Sequence, residues 1–156
     1  MDEHGLSIQV CKSREEMRAA ENAEMVMLDG LGKNILKNIG DVELGRSLKI
    51  FVRNKAGEVV GGLTANVFGS WVYISLLWME ESLRNIGYGT RLVHLCEEEA
   101  MQLGCQYAHL DTYSFEAKPF YERLGYELFA TLDDYPKGYC KYFLKKRLST
   151  PQTSGS

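Results

Sequence analysis

Arg84-Asn85-Ile86-Gly87-Tyr88-Gly89-Thr90 stands where an apolar, strand-like run stops and a long helical pattern begins. Two glycines one residue apart let a backbone turn tightly and approach a ligand. The first N–H groups of the helix that follows have no internal acceptors and carry partial positive charge. The stretch therefore reads as an anion cradle suited to a phosphate or pyrophosphate, although a plain strand-to-helix connection has the same composition. A Rossmann fingerprint needs G-x-G-x-x-G and a Walker loop needs a Gly-Lys-Ser/Thr ending. Gly89 is followed by Thr90, Arg91 and Leu92, so neither can be written.

Upstream lies an antiparallel meander. Residues 48–53 alternate, 54–57 supply turn chemistry, 58–68 form a second run, and Gly69-Ser70 fits a two-residue type II′ hairpin into 71–79. The last run is apolar on both faces around Ile74, Leu76, Leu77 and Trp78, as a central strand should be. Nearer the N-terminus, residues 7–12 read as a short strand through Ile8 and Val10. Ser13 and Glu16 have capping-box spacing, and the helix they start carries Met17, Ala20, Met27, Leu28 and Leu31 along one stripe. Gly30 and Gly32 are expected to end or break it, with a second short helix over 33–39 before Gly40. Glu24 falls within the stripe and Glu21 at its edge, either as carboxylates that reach out to water or as pocket residues.

Downstream, Leu92, Val93, Cys96, Ala100 and Leu103 share about 100° of helical arc, His94, Glu97 and Glu98 point away, and Gly104 closes the helix. A strand over 107–112, a helix over 117–124 stopped by Gly125, a strand over 126–132, a turn over 133–138 and a strand over 139–148 follow. Residues 149–156 are small, polar and expected to be disordered. This order predicts a mixed α/β sheet in which a right-handed crossover sets 71–79 parallel to 107–112. Ligands in such sheets lie outside the carboxyl ends of the strands, where the cradle sits.

A chain of 156 residues with 45% hydrophobic and 25% charged residues fits one soluble globular domain, here over 1–148. A net charge of −3 argues against a nucleic-acid partner. Cys11, Cys96, Cys105 and Cys140 show no C-x-x-C spacing, so neither a metal site nor a disulfide framework is expected. No apolar run approaches the ~18 residues that cross a bilayer, and the N-terminus is polar. No membrane association and a cytoplasmic location are expected.

The cradle at the strand-to-helix turn resembles that of the GNAT superfamily of acetyl-CoA-dependent N-acetyltransferases, whose pyrophosphate loop reads Gln/Arg-x-x-Gly-x-Gly/Ala. A second motif agrees. The family shows Asn-x-x-Ala-x-x-Phe-Tyr-x-x-x-Gly-Phe after the next strand. Here Ser114-Phe115-Glu116-Ala117-Lys118-Pro119-Phe120-Tyr121-Glu122-Arg123-Leu124-Gly125-Tyr126 keeps the spacing, with Ser114 for Asn. Asn85 stands where many members have Gly. The resemblance spans residues 7–148 and implies the GNAT acyl-CoA N-acyltransferase fold, an α/β (α+β) architecture. Its mixed sheet has six to seven strands, an antiparallel N-terminal meander, a central parallel pair splayed at a bulge, and helices on both faces.

The same resemblance implies acetyl-CoA as co-substrate and no metal. Backbone N–H groups of Asn85, Ile86, Gly87, Tyr88, Gly89 and Thr90 would hold the pyrophosphate, with Arg84 and Arg91 adding charge. Ser114 would touch the cofactor arm. The pantetheine would pair with backbone near Leu77 and Met79, and a main-chain N–H near Trp78 would polarise the thioester carbonyl. Tyr121 is the expected acid for the departing thiolate, since a phenol stays protonated at neutral pH. The resemblance does not identify the base: Glu80 at the end of the splayed strand is the candidate base or water relay, with Glu81, Glu21, Glu24 and Asp111 as alternatives. His4 and His94 are set aside, and His109 reads as a core histidine. Glu24, Trp71, Tyr73, Asp134 and Tyr135 are the expected acceptor contacts. Asp133 and Trp78 belong to the same regions.

These readings point to an enzyme that transfers acetyl from acetyl-CoA directly to a primary amine of a small molecule or of a peptide or protein. The alternative is a non-catalytic acyl-CoA-binding or sensing domain. A homodimer through an edge strand such as 139–148 is left open.

Overall fold

The computed structural model describes residues 4–40 and 45–149. The chain divides into two compact units, 1–42 and 43–156.

In the N-terminal unit the capping box forms as its spacing requires. Ser13 Oγ accepts from the Glu16 N–H at 3.1 Å, and Glu16 Oε2 accepts from the Ser13 N–H at 2.8 Å. The helix it starts, α1 (Arg14–Ala19), is short, and α2 (Glu21–Ile39) follows after one residue, Ala20. Three expectations are corrected here. Residues 7–12 are not a strand: among the described residues no strand pairs with them, and two apolar positions alone do not hold an extended segment. The break falls at Ala20, and Gly30 and Gly32 lie inside one continuous α2. An interior glycine costs a helix only ~1 kcal/mol, too little to end it. The stripe buries nothing between the two helices. Glu21 and Glu24 instead line a hollow with Arg14 and Arg18. Gly40 does end α2, with φ 74°.

The C-terminal unit is a six-stranded sheet of order β1-β2-β3-β4-β6-β5. The meander is β1 (Arg46–Arg53), β2 (Val59–Phe68) and β3 (Trp71–Met79). Gly69 takes φ 56° in the hairpin, as a primed turn demands. A crossover through α3 (Tyr88–Gln102) leads to β4 (Tyr107–Tyr113), parallel to β3. Then come α4 (Lys118–Arg123), β5 (Glu127–Leu132) and β6 (Lys141–Arg147), and β6 enters antiparallel between β4 and β5. The expected tail, 149–156, lies outside the described residues except for Ser149.

Strand alternation sorts the two faces. Leu63, Ala65, Val72, Ile74, Ala108, Leu110 and Leu144 form one core with Leu92, Val93, Cys96 and Ala100 of α3. Glu97 is a correction, because it is buried in this interface. It sits four residues after Val93, about 40° round the helix, at the edge of the apolar arc. Its Oε1 accepts from the Tyr126 hydroxyl at 3.0 Å, and Lys146 Nζ lies 2.9 Å from Oε2. The other face of the sheet carries Trp71, Tyr73, Tyr107 and His109 in a run of stacked rings.

Two features of β3 position the site. It pairs with β4 only from Trp71↔Tyr107 to Ile74↔Leu110, and beyond that the strands part. The parting coincides with a bulge: Ala65 faces Ile74 but Thr64 faces Leu76, leaving Ser75 as the extra residue. Ser75 Oγ donates to the Thr64 carbonyl at 3.1 Å, which pins the bulge.

Candidate active site

The gap between β3 and β4 opens at the carboxyl end of β3. Glu80 N–H donates to the Val60 carbonyl at 2.9 Å, and Gly61, Gly62 and Leu63 stand opposite Met79, Trp78 and Leu77. Hydrogen bonding alternates along an antiparallel ladder, so Trp78 and Leu76 turn their main-chain groups towards β2, while Leu77 and Met79 turn theirs into the gap. Leu77 and Met79 thus face the gap. The Trp78 N–H faces Gly62 instead, because bulge register decides which residues present free backbone. The Met79 carbonyl is taken by Arg84 Nε at 3.0 Å, and the Leu77 N–H and C=O and the Met79 N–H remain for a ligand.

Beside the gap lies the start of α3. Gly87 is its N-cap at φ 94°, no side chain caps the free N–H groups, and no acid occupies the first turn. Both conditions favour an anion. Asn85 also lies in the left-handed region, at φ 60°. Asn tolerates that conformation better than most residues other than Gly. Gly89 has a different duty: a Cβ there would stand 3.3 Å from Phe120 Cζ, so its bareness seats α4 against α3. A cleft of about 490 Å³ joins these parts, lined by Leu77, Met79, Arg84, Asn85, Gly87, Gly89 and Thr90. Leu83, Ala117, Phe120 and Arg123 complete it. Ile86 is exposed and Tyr88 carries Arg91 over its ring at 5.4 Å, so neither lines the cleft. The Ser114 hydroxyl accepts from the Cys140 N–H at 2.9 Å and ties the β4–α4 loop to the start of β6.

Tyr121 is buried on α4, next in sequence to Phe120 of the cleft lining, and does not itself line the cleft. Burial, then the negative charges of Glu116 and Asp111, push its phenol up to about 12. Glu80 is exposed directly after the gap-facing Met79, and its carboxylate has no partner among the described residues. Asp111 is engaged on both oxygens, by the Tyr73 hydroxyl at 2.7 Å and Lys141 Nζ at 3.4 Å. His109 is half-buried against Tyr73, and burial pulls its imidazole down, against the opposing field of Asp111.

A model of the acetyltransferase (GNAT) family matches residues 15–126. The chain belongs to the GNAT acetyltransferase family. It is 39% identical over 93 residues to the blasticidin-S acetyltransferase of Streptomyces morookaense, covering 59% of this chain and 68% of that one. It is 33% identical over 129 residues to the acetyltransferase Atu2258 of Agrobacterium fabrum, covering 83% and 93%. A crystal structure of an acetyltransferase from Bacillus cereus superposes with a TM-score of 0.75 at 30% identity, covering 91% of this chain and 98% of that one. The protein is therefore an acyltransferase with a GNAT fold.

Within this GNAT domain the expected acceptor contacts separate. Asp134 and Tyr135 line a slot of about 500 Å³ with Tyr113, Phe115 and Pro136. Trp71 stacks on Tyr107 and Tyr73 on His109, outside that slot, and Glu24 belongs to the N-terminal unit. Tyr113 and Phe115 were not legible as site residues. Their only signal was the aromatic pair flanking Ser114 at the head of the second motif.

Proposed function

We propose that this GNAT protein transfers the acetyl group of acetyl-CoA to a primary amine of a small molecule. The observation that carries the reading is the conjunction at one cleft of a splayed strand end and an uncapped helix start, with Tyr121 next in sequence to Phe120 of the lining. Acetyl-CoA suits the residues present. Its pyrophosphate matches the free N–H groups of α3 with Arg84 and Arg123 at the cleft, and its amide arm matches the free Leu77 and Met79 main-chain groups. Leu83, Phe120 and Ala117 give the arm an apolar wall.

When bound, the co-substrate supplies an activated thioester carbonyl. The amine nitrogen forms a bond to the acetyl carbon as the carbon–sulfur bond breaks, and the amine proton must leave while sulfur gains one. Tyr121 holds a proton at its phenolic oxygen across the neutral range, ready for the sulfur. Glu80, exposed at the end of β3, takes the amine proton through water. The Met79 N–H replaces the Trp78 N–H as the main-chain donor for the carbonyl oxygen, since it alone of the two faces the gap. That a relative is a blasticidin-S acetyltransferase favours a small-molecule acceptor over a protein one.

Calorimetric titration with acetyl-CoA, followed by a panel of primary amines with detection of free CoA thiol, tests this reading. Binding in the micromolar range and amine-dependent thiol release are expected. No binding at millimolar acetyl-CoA, or release indifferent to every amine, would refute it.

A further inference from the structure

The slot between the β4–α4 loop and the β5–β6 loop has a chemistry of its own. Tyr113 stacks on Phe115 with centroids 5.1 Å apart and planes 6° from parallel, and Tyr135 lies 6.1 Å from Tyr113 at 20°. Three rings in nearly common orientation give flat walls. Phe115, which also meets Tyr139 in a T-shaped contact at 5.0 Å, and Tyr135 are both exposed, so part of each ring is open to a ligand. Asp134 stands in the same lining, and among the described residues its Oδ1 accepts only from the Gly138 N–H, at 3.2 Å. No cation answers this carboxylate among the described residues.

The chain itself shows what these rings attract. Lys141 Nζ lies 5.0 Å from the Tyr135 centroid and 5.9 Å from that of Tyr113, with its charge met by Asp111. The slot also adjoins the cofactor cleft. Phe115 lines one and Ala117 lines the other, so two residues of backbone, at most ~7 Å, separate them.

We infer that the slot walled by Tyr113, Phe115 and Tyr135 and charged by Asp134 binds a flat cationic group of the acceptor. The favoured acceptor is then an amine carrying a second, planar, protonated group such as a guanidinium. This rests on the amine-acetyltransferase reading above and narrows its substrate class. A planar cation stacks on ring faces and presents edge N–H donors to a carboxylate, whereas a neutral planar group keeps the stacking and loses the charge.

The test uses agmatine, a primary amine with a guanidinium, and N-carbamoylputrescine, its neutral urea isostere. Each is titrated calorimetrically into the full chain saturated with CoA, and each is assayed for thiol release with acetyl-CoA. Agmatine is expected to bind about tenfold more tightly than the urea. Tyr135→Ala should weaken agmatine about tenfold, and Asp134→Asn should erase the preference while leaving acetyl-CoA affinity unchanged. Asn keeps the Gly138 contact and accepts the left-handed backbone of position 134, φ 51°, so this variant changes charge and little else. Equal binding of the two ligands, or variants that leave agmatine binding unaltered, would overturn the inference. Preferential binding of agmatine without thiol release from any amine would uphold the slot and refute the transferase reading instead.

Discussion

Burial sets the behaviour of Tyr121 more than any single contact does. With its phenol pushed up to about 12, it remains a proton donor throughout the neutral and mildly alkaline range. Tyr121→Phe keeps the ring, its edge contact with Tyr126 and the packing of α4. Thiol release is expected to fall by about 10²–10⁴ with acetyl-CoA affinity unchanged. A variant that turned over at the parental rate would remove Tyr121 from the chemistry. At Gly87, φ 94° excludes any side chain without strain, so Gly87→Ala should cost about 1–2 kcal/mol in urea denaturation and weaken acetyl-CoA. Asn85→Gly, at φ 60°, should leave both nearly unchanged.

At the scale of elements, the gap depends on one inserted residue. Ser75 shifts the register of β3 against β2 just where β3 parts from β4. Deleting Ser75 removes the bulge and keeps the faces of Ile74 and Leu76 opposite Ala65 and Thr64. The straightened β3 should then pair further along β4, and the Leu77 and Met79 backbone would be consumed by that pairing. The expected result is a folded protein, by circular dichroism and melting, that no longer binds acetyl-CoA in a titration. Retained affinity would show that the splay has another cause. The meander, the α3 stripe and both motifs were legible because each is a local pattern. The bulge was expected only from the family resemblance, since Tyr73-Ile74-Ser75-Leu76-Leu77 carries no glycine or proline to place it.

For the molecule as a whole, tyrosines held out of water, Tyr121 and Tyr126 fully and Tyr73 in part, tie stability to alkaline pH. Tyr121 and Tyr73 are each pushed up to about 12, and burial with the Glu97 charge drives Tyr126 higher still. An unfolded phenol releases its proton near ~10 while the native ones keep theirs, so unfolding releases protons between these values. Stability is therefore fully present below pH 10 and lost as pH rises towards 12. Each fully buried phenol contributes about 1.4 kcal/mol of loss per pH unit in that window. Urea midpoints at pH 8, 10 and 11 should show a plateau and then a decline. A midpoint unchanged at pH 11 would contradict the buried state of Tyr121 and Tyr126.

The sequence by itself determined which segments are strands and helices in the C-terminal unit and where the glycine turn opens α3. Periodicity, turn residues and motif spacing are properties of neighbouring residues. Only the tertiary structure decided the rest. Glu97 is buried because Tyr126 and Lys146, 29 and 49 residues away, supply its partners. Met79 rather than Trp78 offers its N–H because a bulge fixes the register between two strands. The slot exists because two loops separated by β5 meet on rings that no local pattern connects.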